Sequence, residues 1–391
     1  MRDQYRSVFS LFLAHLVTDI YMPVVTAILP LLISVFGYNY FMAGLLVTSY
    51  NMTSSLTQPV FGWLSDRKGK QLHVSTSILI SAVFISLMGI VGNYPLLLLC
   101  AAMAAVGHAC FHPNALSEIS RLAADSNRGR VTAFFVVGGN IGYALGPLMA
   151  GGLVFFLGLQ GLVLLIFPAL IMAVILRRVI PVMKQPKSPE PSESDYPGLF
   201  SLLKPIRVLF AASMVRAWAV FSGIAFFPPL LIQRGLDIFT ANMLVTMMLL
   251  AGVIGQLIGG ILSDTYGRKE FVLIGLILSV PAFMVFLFSE GLLSVIGLMA
   301  FGFFLWSSFA VTVAMSHELM PRNVGIASGI MLGVAMGAGG VGVALSGMIA
   351  DSYTLTHALA TIPVLIIIST IFMARVDYPW KALRMYRERS R

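Results

Sequence analysis

Gln58-Pro-Val-Phe-Gly62-Trp-Leu-Ser-Asp66-Arg-Lys-Gly69-Lys70 recurs 198 residues later as Gln256-Leu-Ile-Gly-Gly260-Ile-Leu-Ser-Asp264-Thr-Tyr-Gly267-Arg268. Gln, Gly, Leu, Ser, Asp and Gly coincide, and the last position is basic in both copies. Each copy closes a long apolar run, and its glycines permit a tight turn where the chain reverses. The chain therefore reads as two halves laid down in the same order and the same orientation, which is the pattern of parallel repeats related by an axis along a membrane normal.

The composition agrees with a membrane setting. Of 391 residues, 58% are hydrophobic and 10% are charged, against about 25% charged in a soluble domain. So few charges cannot cover a water-exposed surface. A spanning helix needs about 20 mostly apolar residues, and twelve such runs are present: 7–35, 40–63, 72–92, 95–117, 129–156, 160–178, 206–233, 238–263, 270–289, 291–315, 323–350 and 355–375. The predicted fold class is an all-α membrane protein of twelve transmembrane helices in two pseudo-symmetric six-helix bundles. Residues 1–180 form the N-terminal bundle, 181–205 a cytoplasmic linker, 206–377 the C-terminal bundle and 378–391 a basic cytoplasmic tail. The linker contains Lys184-Gln-Pro-Lys-Ser-Pro-Glu-Pro-Ser-Glu-Ser-Asp195, whose Pro, Ser and charges cannot pack a core.

Charge placement sets the expected topology. Twenty-three of the 25 Lys and Arg residues fall at the N-terminus, in the even-to-odd loops and in the C-terminal tail. The other side holds Arg234, and Arg216 lies inside the seventh run. Both termini and the linker are thus expected in the cytoplasm, with the protein multi-pass in the inner membrane. The net charge of +9 reads as topology and contact with anionic lipid headgroups, not as a nucleic-acid surface. Cys100 and Cys110 sit in an apolar stretch without metal or disulfide spacing. The first run is too long for the apolar core of a cleaved signal.

Gly62-x-Leu-Ser-Asp66-x-x-Gly69-Lys70 and its second copy resemble the signature loop of the major facilitator superfamily, and the resemblance covers the whole chain. It implies alternating access around a midplane site. In this reading Gly62, Asp66, Arg67, Gly69, Lys70, Gly260, Asp264, Gly267 and Arg268 form a conformational latch. The carboxylates accept from a helix N-terminus, and the basic residues pair with Glu118 or Glu318. The fifth run carries Gly138-Gly-Asn140-Ile-Gly142-Tyr-Ala-Leu-Gly146-Pro147 and Gly151-Gly152, similar to a motif of antiporters in the superfamily. Three residues separate Pro147 from the paired glycines where the family has two. Glycines four apart also serve plain close packing, so both meanings stand, and the eleventh run carries a comparable series at Gly325, Gly329, Gly333, Gly337 and Gly342. His15-Leu-x-x-Asp19, Phe111-His112-Pro113, Val137-Gly-Gly-Asn140 with Leu145-Gly-Pro147, and Arg216-x-Trp218 resemble the fosmidomycin-resistance branch. That resemblance implies a drug exporter running on proton exchange.

Ionisable groups inside a bilayer are costly and mark function. Asp19 is the carboxylate deep in a run and Arg216 the deep cation; the repeat offset carries Asp19 to position 217. The two either face one cavity as a coupling pair or form an ion pair that holds the bundles. His15 lies on the face of Asp19, and His108 and His112 are again four apart. We assign proton coupling to Asp19, His15 and His112. No carboxylate accompanies His108 and His112 in their own run, so no metal and no cofactor is expected; Pro113 predicts a distorted helix end there. Arg216, His108, Tyr50, Asn51, Gln58, Asn140, Trp218 and Gln256 form the expected lining for a small-molecule substrate. Tyr50, Ser54 and Gln58 repeat every four residues on a polar face. No catalytic constellation and no nucleotide-binding loop is present, so the chain reads as a secondary transporter working as a monomer, not an enzyme or an ATP-driven pump. The alternative is an importer or uniporter of an organic anion.

Overall fold

In the computed structural model the protein is described over residues 2–68, 72–123, 128–180, 203–321 and 323–381, and the chain over these residues is helical. Helices are what a chain in lipid must form, since each backbone N–H and C=O then finds its partner within the segment. The elements are α1 (Arg2–Ala27), α2 (Leu29–Phe36), α3 (Tyr40–Lys68), α4 (Val74–Leu87), α5 (Tyr94–Leu122), α6 (Arg128–Leu157) and α7 (Ile166–Val179), the last preceded by a 3₁₀ turn over Leu159–Leu165. They continue as α8 (Arg207–Gln233), α9 (Ile238–Tyr266), α10 (Arg268–Phe288), α11 (Gly291–Ser307), α12 (Phe309–Leu319), α13 (Val324–Ser328), a π segment (Gly329–Val334), α14 (Ala335–Ser352) and α15 (Leu355–Ala374).

Ten of the twelve expected spans are long and apolar enough to cross a membrane among the described residues. The remaining two are α4, which is apolar but short, and α3, which is long but carries the polar stretch Thr48–Gln58. The first span is broken at Ile28, where Pro30 opens α2. Pro113 does not end its helix: α5 runs on to Leu122. The distorted end expected at Pro113 is therefore displaced by two turns of continuing helix.

The chain packs as two compact units. One comprises Met1–Glu190 with Ile224–Thr246, the other Pro191–Gly223 with Met247–Arg391. The stretch around Lys184 and Asp195 and the tail beyond Lys381 lie outside the described residues.

Within the first unit, α1 packs closely on α6, and α3 and α4 on α5. The α1–α6 seam is made by glycine. A methyl group at Gly138 would meet Phe12, at Gly142 the Leu16 carbonyl, and at Gly146 Ile20 and Pro23. These positions recur every four residues on both helices, so the two backbones approach along a whole face. Asn242 ties the end of the unit by donating to the Ala27 carbonyl (3.1 Å) and to Ile238 (2.9 Å). Tyr21 is fully buried, and its hydroxyl donates to the Leu165 carbonyl at 2.9 Å.

Within the second unit, α10 packs on α11 and α15. Gly255 lies against Phe303, and Gly302 against Met248. The glycine series of the eleventh run is redistributed. Gly325 and Gly329 face open space, whereas Gly339 and Gly342 press on Ala217 and Trp218. The π segment Gly329–Val334 lies between the two sets and shifts the register of the faces that follow it.

Candidate functional site

The first unit gathers its ionisable groups at one point. Asp19, midway along the span Gln4–Phe36, has Oδ2 3.2 Å from His15 Nε2. Its Oδ1 is 3.3 Å from His108 Nε2 and 3.7 Å from His112 Nε2. The two imidazoles of α5 stand with their Nε2 atoms 3.1 Å apart. Two helical pairs at four-residue spacing thus converge from α1 and α5. The reading in which His108 and His112 lack a carboxylate is corrected here: Asp19 arrives from another helix, which no spacing within one run can reveal.

The cluster is held from outside. His15 Nδ1 lies 2.8 Å from the Phe135 carbonyl of α6, and the His15 ring stacks on Phe135 with centroids 4.1 Å apart. His108 Nδ1 lies 3.3 Å from Ser54 Oγ of α3. A side chain at Gly139 would collide with the His15 ring and the Asp19 carboxylate, so this glycine makes their room. Tyr50 is buried with its ring 5.9 Å from that of His108, and its hydroxyl has no hydrogen-bond partner. Asn51 is buried, and Asn140 and Gln58 are half-buried, Gln58 one turn beyond Ser54.

In the second unit Arg216 stands one residue before the position to which the repeat offset carries Asp19. It is buried on α8, donating to Ser308 Oγ at 2.7 Å and Thr312 Oγ1 at 3.2 Å, with its guanidinium 5.5 Å above the Phe309 ring. Both hydroxyls donate onward to carbonyls, Ser308 to Leu305 and Thr312 to Phe309. They therefore present lone pairs to the cation. No described carboxylate of its own unit pairs with it. Trp218 is half-buried; its indole N–H donates to Ser346 Oγ at 2.9 Å, and its ring covers Gly342. Gln256 is half-buried on α9.

The second copy of the repeated loop is a charge network. Arg268 pairs with Asp264 (3.0 Å) and Glu318 (2.6 Å). Gly267, with φ of 107°, makes the turn from α9 to α10 that a Cβ would strain; Gly260 faces open space. The segment after α15 completes the network. The Tyr378 hydroxyl donates to Glu318, and Lys381 to the Asp264 carbonyl at 2.6 Å. Burial, then the Glu318 carboxylate, pushes the Tyr378 pKa up to about 12, so it remains a donor at neutral pH. Lys269 is buried, donating to the Val376 carbonyl at 2.7 Å and lying 4.5 Å over the Trp380 ring. In the first copy, Gly62 lies near Pro113; Gly69, Lys70 and the side chains of Asp66 and Arg67 lie outside the described residues.

Three features of the site escape a reading by spacing: Gly139, Ser54 with the Phe135 carbonyl, and the Ser308–Thr312 pair. Only the last leaves a trace, because a serine and a threonine four apart near the bilayer depth of Arg216 form a polar helix face.

Comparison with known proteins decides the family. The profile of the Major Facilitator Superfamily matches residues 8–241 and 209–384, which together take in nearly the whole chain. The chain belongs to the major facilitator superfamily. Among superfamily relatives, the fosmidomycin resistance protein of Escherichia coli (strain K12) is 29% identical over 378 residues, covering 92% of this chain and 91% of that protein. The uncharacterized MFS-type transporter YfnC of Bacillus subtilis (strain 168) is 28% identical over 367 residues, with 90% and 89% covered. Among solved structures, a bacterial homolog of the human lysosomal transporter Spinster matches with a TM-score of 0.75 at 17% identity, covering 96% of this chain and 95% of that one. The fold is that of the superfamily, and the protein is a multi-pass membrane transporter, not an enzyme.

Proposed function

We propose that this transporter is a proton-coupled antiporter that exports a small organic compound across the inner membrane by alternating access, with both termini in the cytoplasm. The observation that carries the reading is the pair of opposite charges deep in the spans at nearly repeat-equivalent positions, Arg216 standing one residue before the place to which the offset carries Asp19. Asp19 stands among three histidines, and Arg216 is held by two hydroxyls and the face of the Phe309 ring. A cation buried without a carboxylate is costly and is suited to receive a solute's anionic group through charge-assisted hydrogen bonds. Asp19, with His15 and His112, carries the driving proton. His108, Tyr50, Asn51, Gln58, Asn140, Trp218 and Gln256 line the solute's path, and the network around Asp264 and Arg268 opens and closes with each cycle.

The likeness to a fosmidomycin resistance protein along nearly the full chain supports export. The test is transport in proteoliposomes with fosmidomycin as probe. An imposed pH gradient should drive the drug opposite to the protons. Movement of drug and protons in the same direction, or transport indifferent to the gradient, rejects the exporter reading. It would favour the second reading, an importer or uniporter of an organic anion, to which Arg216 is equally suited.

A further inference from the structure

We propose that His15, Asp19 and His112, with His108 beside them, form a binding site for one divalent transition-metal ion of the zinc class. The donor atoms of His15, Asp19 and His112 all lie within 4.8 Å of one another. The atoms that face each other are the Nε2 nitrogens and the carboxylate oxygens, with separations of 3.2, 3.3 and 3.7 Å to Asp19 and 3.1 Å between the α5 imidazoles. Zinc bonded at about 2.0–2.1 Å in a tetrahedron sets neighbouring ligand atoms about 3.3 Å apart. The separations of His15 from Oδ2, of His108 from Oδ1 and of the two α5 imidazoles lie near that edge length, and His112 stands slightly farther from Oδ1.

Two further observations point to a cation. A histidine that binds metal has its other nitrogen tied to a carbonyl or similar group, which fixes the tautomer. The Phe135 carbonyl does this for His15 Nδ1 at 2.8 Å, and Ser54 Oγ sits 3.3 Å from His108 Nδ1. Because a carbonyl only accepts, Nδ1 carries the His15 proton, and a neutral His15 turns its Nε2 lone pair toward Asp19. Secondly, Asp19 Oδ1 is buried and makes no hydrogen bond, although two imidazole nitrogens lie near it. A metal ion bound here would displace the protons that the imidazoles share with one another and with Asp19, and would satisfy the carboxylate and the ring lone pairs together. Imidazoles with one carboxylate select zinc, cobalt or nickel over calcium and magnesium, which prefer all-oxygen shells.

Binding does not depend on the proton-coupling reading. Its consequence does: an ion held here clamps α1 to α5, occupies Asp19 and arrests transport.

The test uses the full-length protein in detergent micelles without a polyhistidine tag. Titration with Co²⁺, followed by visible absorption, should show one saturable site per chain, and Zn²⁺ should displace it. His15→Gln and His112→Gln should each weaken binding at least roughly tenfold, and His357→Gln, which alters a histidine bonded to Thr354, should leave it unchanged. Absence of saturable binding, or binding that survives in the His15→Gln/His112→Gln double variant, overturns the site. Should the variants fail to fold, zinc K-edge absorption of the loaded native protein decides the matter: two or more imidazoles per zinc are expected, and a shell of oxygen or sulfur overturns the proposal. Gradient-driven export by a protein that binds no cobalt removes the metal site and leaves the transport reading standing. Cobalt binding by a protein whose Asp19→Asn variant still exports on a pH gradient does the reverse.

Discussion

The two halves solve the problem of a buried charge in opposite ways. In the first, a carboxylate on the opening helix meets His108 and His112 on the fourth span. In the second, a guanidinium at the nearly equivalent place meets Ser308 and Thr312 on the tenth. Both partner pairs are four residues apart on corresponding spans. The architecture of the site has thus been kept through the repeat while its chemistry has been inverted. In the first site imidazole nitrogens face a carboxylate; in the second, hydroxyl lone pairs face a guanidinium.

The largest expected effect comes from removing the carboxylate of the first half. Asp19→Asn should reduce pH-driven transport to the level of empty vesicles while insertion and folding persist, as judged by size-exclusion chromatography. Full transport by this variant would erase the distinction between the halves. Arg216→Ala should follow. It should weaken half-saturation for an anionic solute about tenfold or more, the worth of a charge-assisted hydrogen bond, and leave a neutral analogue nearly unaffected; equal losses would make Arg216 a structural strut. Gly139→Ala should cost about 1–3 kcal/mol by overpacking, because its new methyl group meets His15 and Asp19. Gly329→Ala, facing open space, should cost nothing in a thermal unfolding series. A small effect on stability belongs to the partly exposed network at the repeated loop. Arg268→Gln should lower stability by under about 1 kcal/mol yet change the rate of the transport cycle. A large drop in Tm would mean that the loop is a fixed clamp.

Much of this was readable along the chain. The repeat, the helical runs and the two deep charges follow from residue type and spacing, because a bilayer leaves few alternatives for apolar helices and few reasons for buried charge. His15, Asp19, His108 and His112 were each legible as members of helix faces. Their convergence was not, since it depends on how far α1 is rotated against α5, and that rotation is set by the glycine seam between α1 and α6. The support from Phe135 is a backbone carbonyl, which has no signature in any side chain. The π segment was equally hidden: nothing in the letters of Gly329–Val334 marks the turn whose extra residue shifts the faces that follow it.

Lys269 carries a consequence for how the protein is made. Its buried ammonium finds its acceptor on Val376 and its aromatic cover on Trp380. Those residues leave the ribosome more than a hundred positions after Lys269 itself. Until they emerge, the first turn of α10 holds a cation without its seat, so this end of the second half can close only after the chain has been made past Trp380.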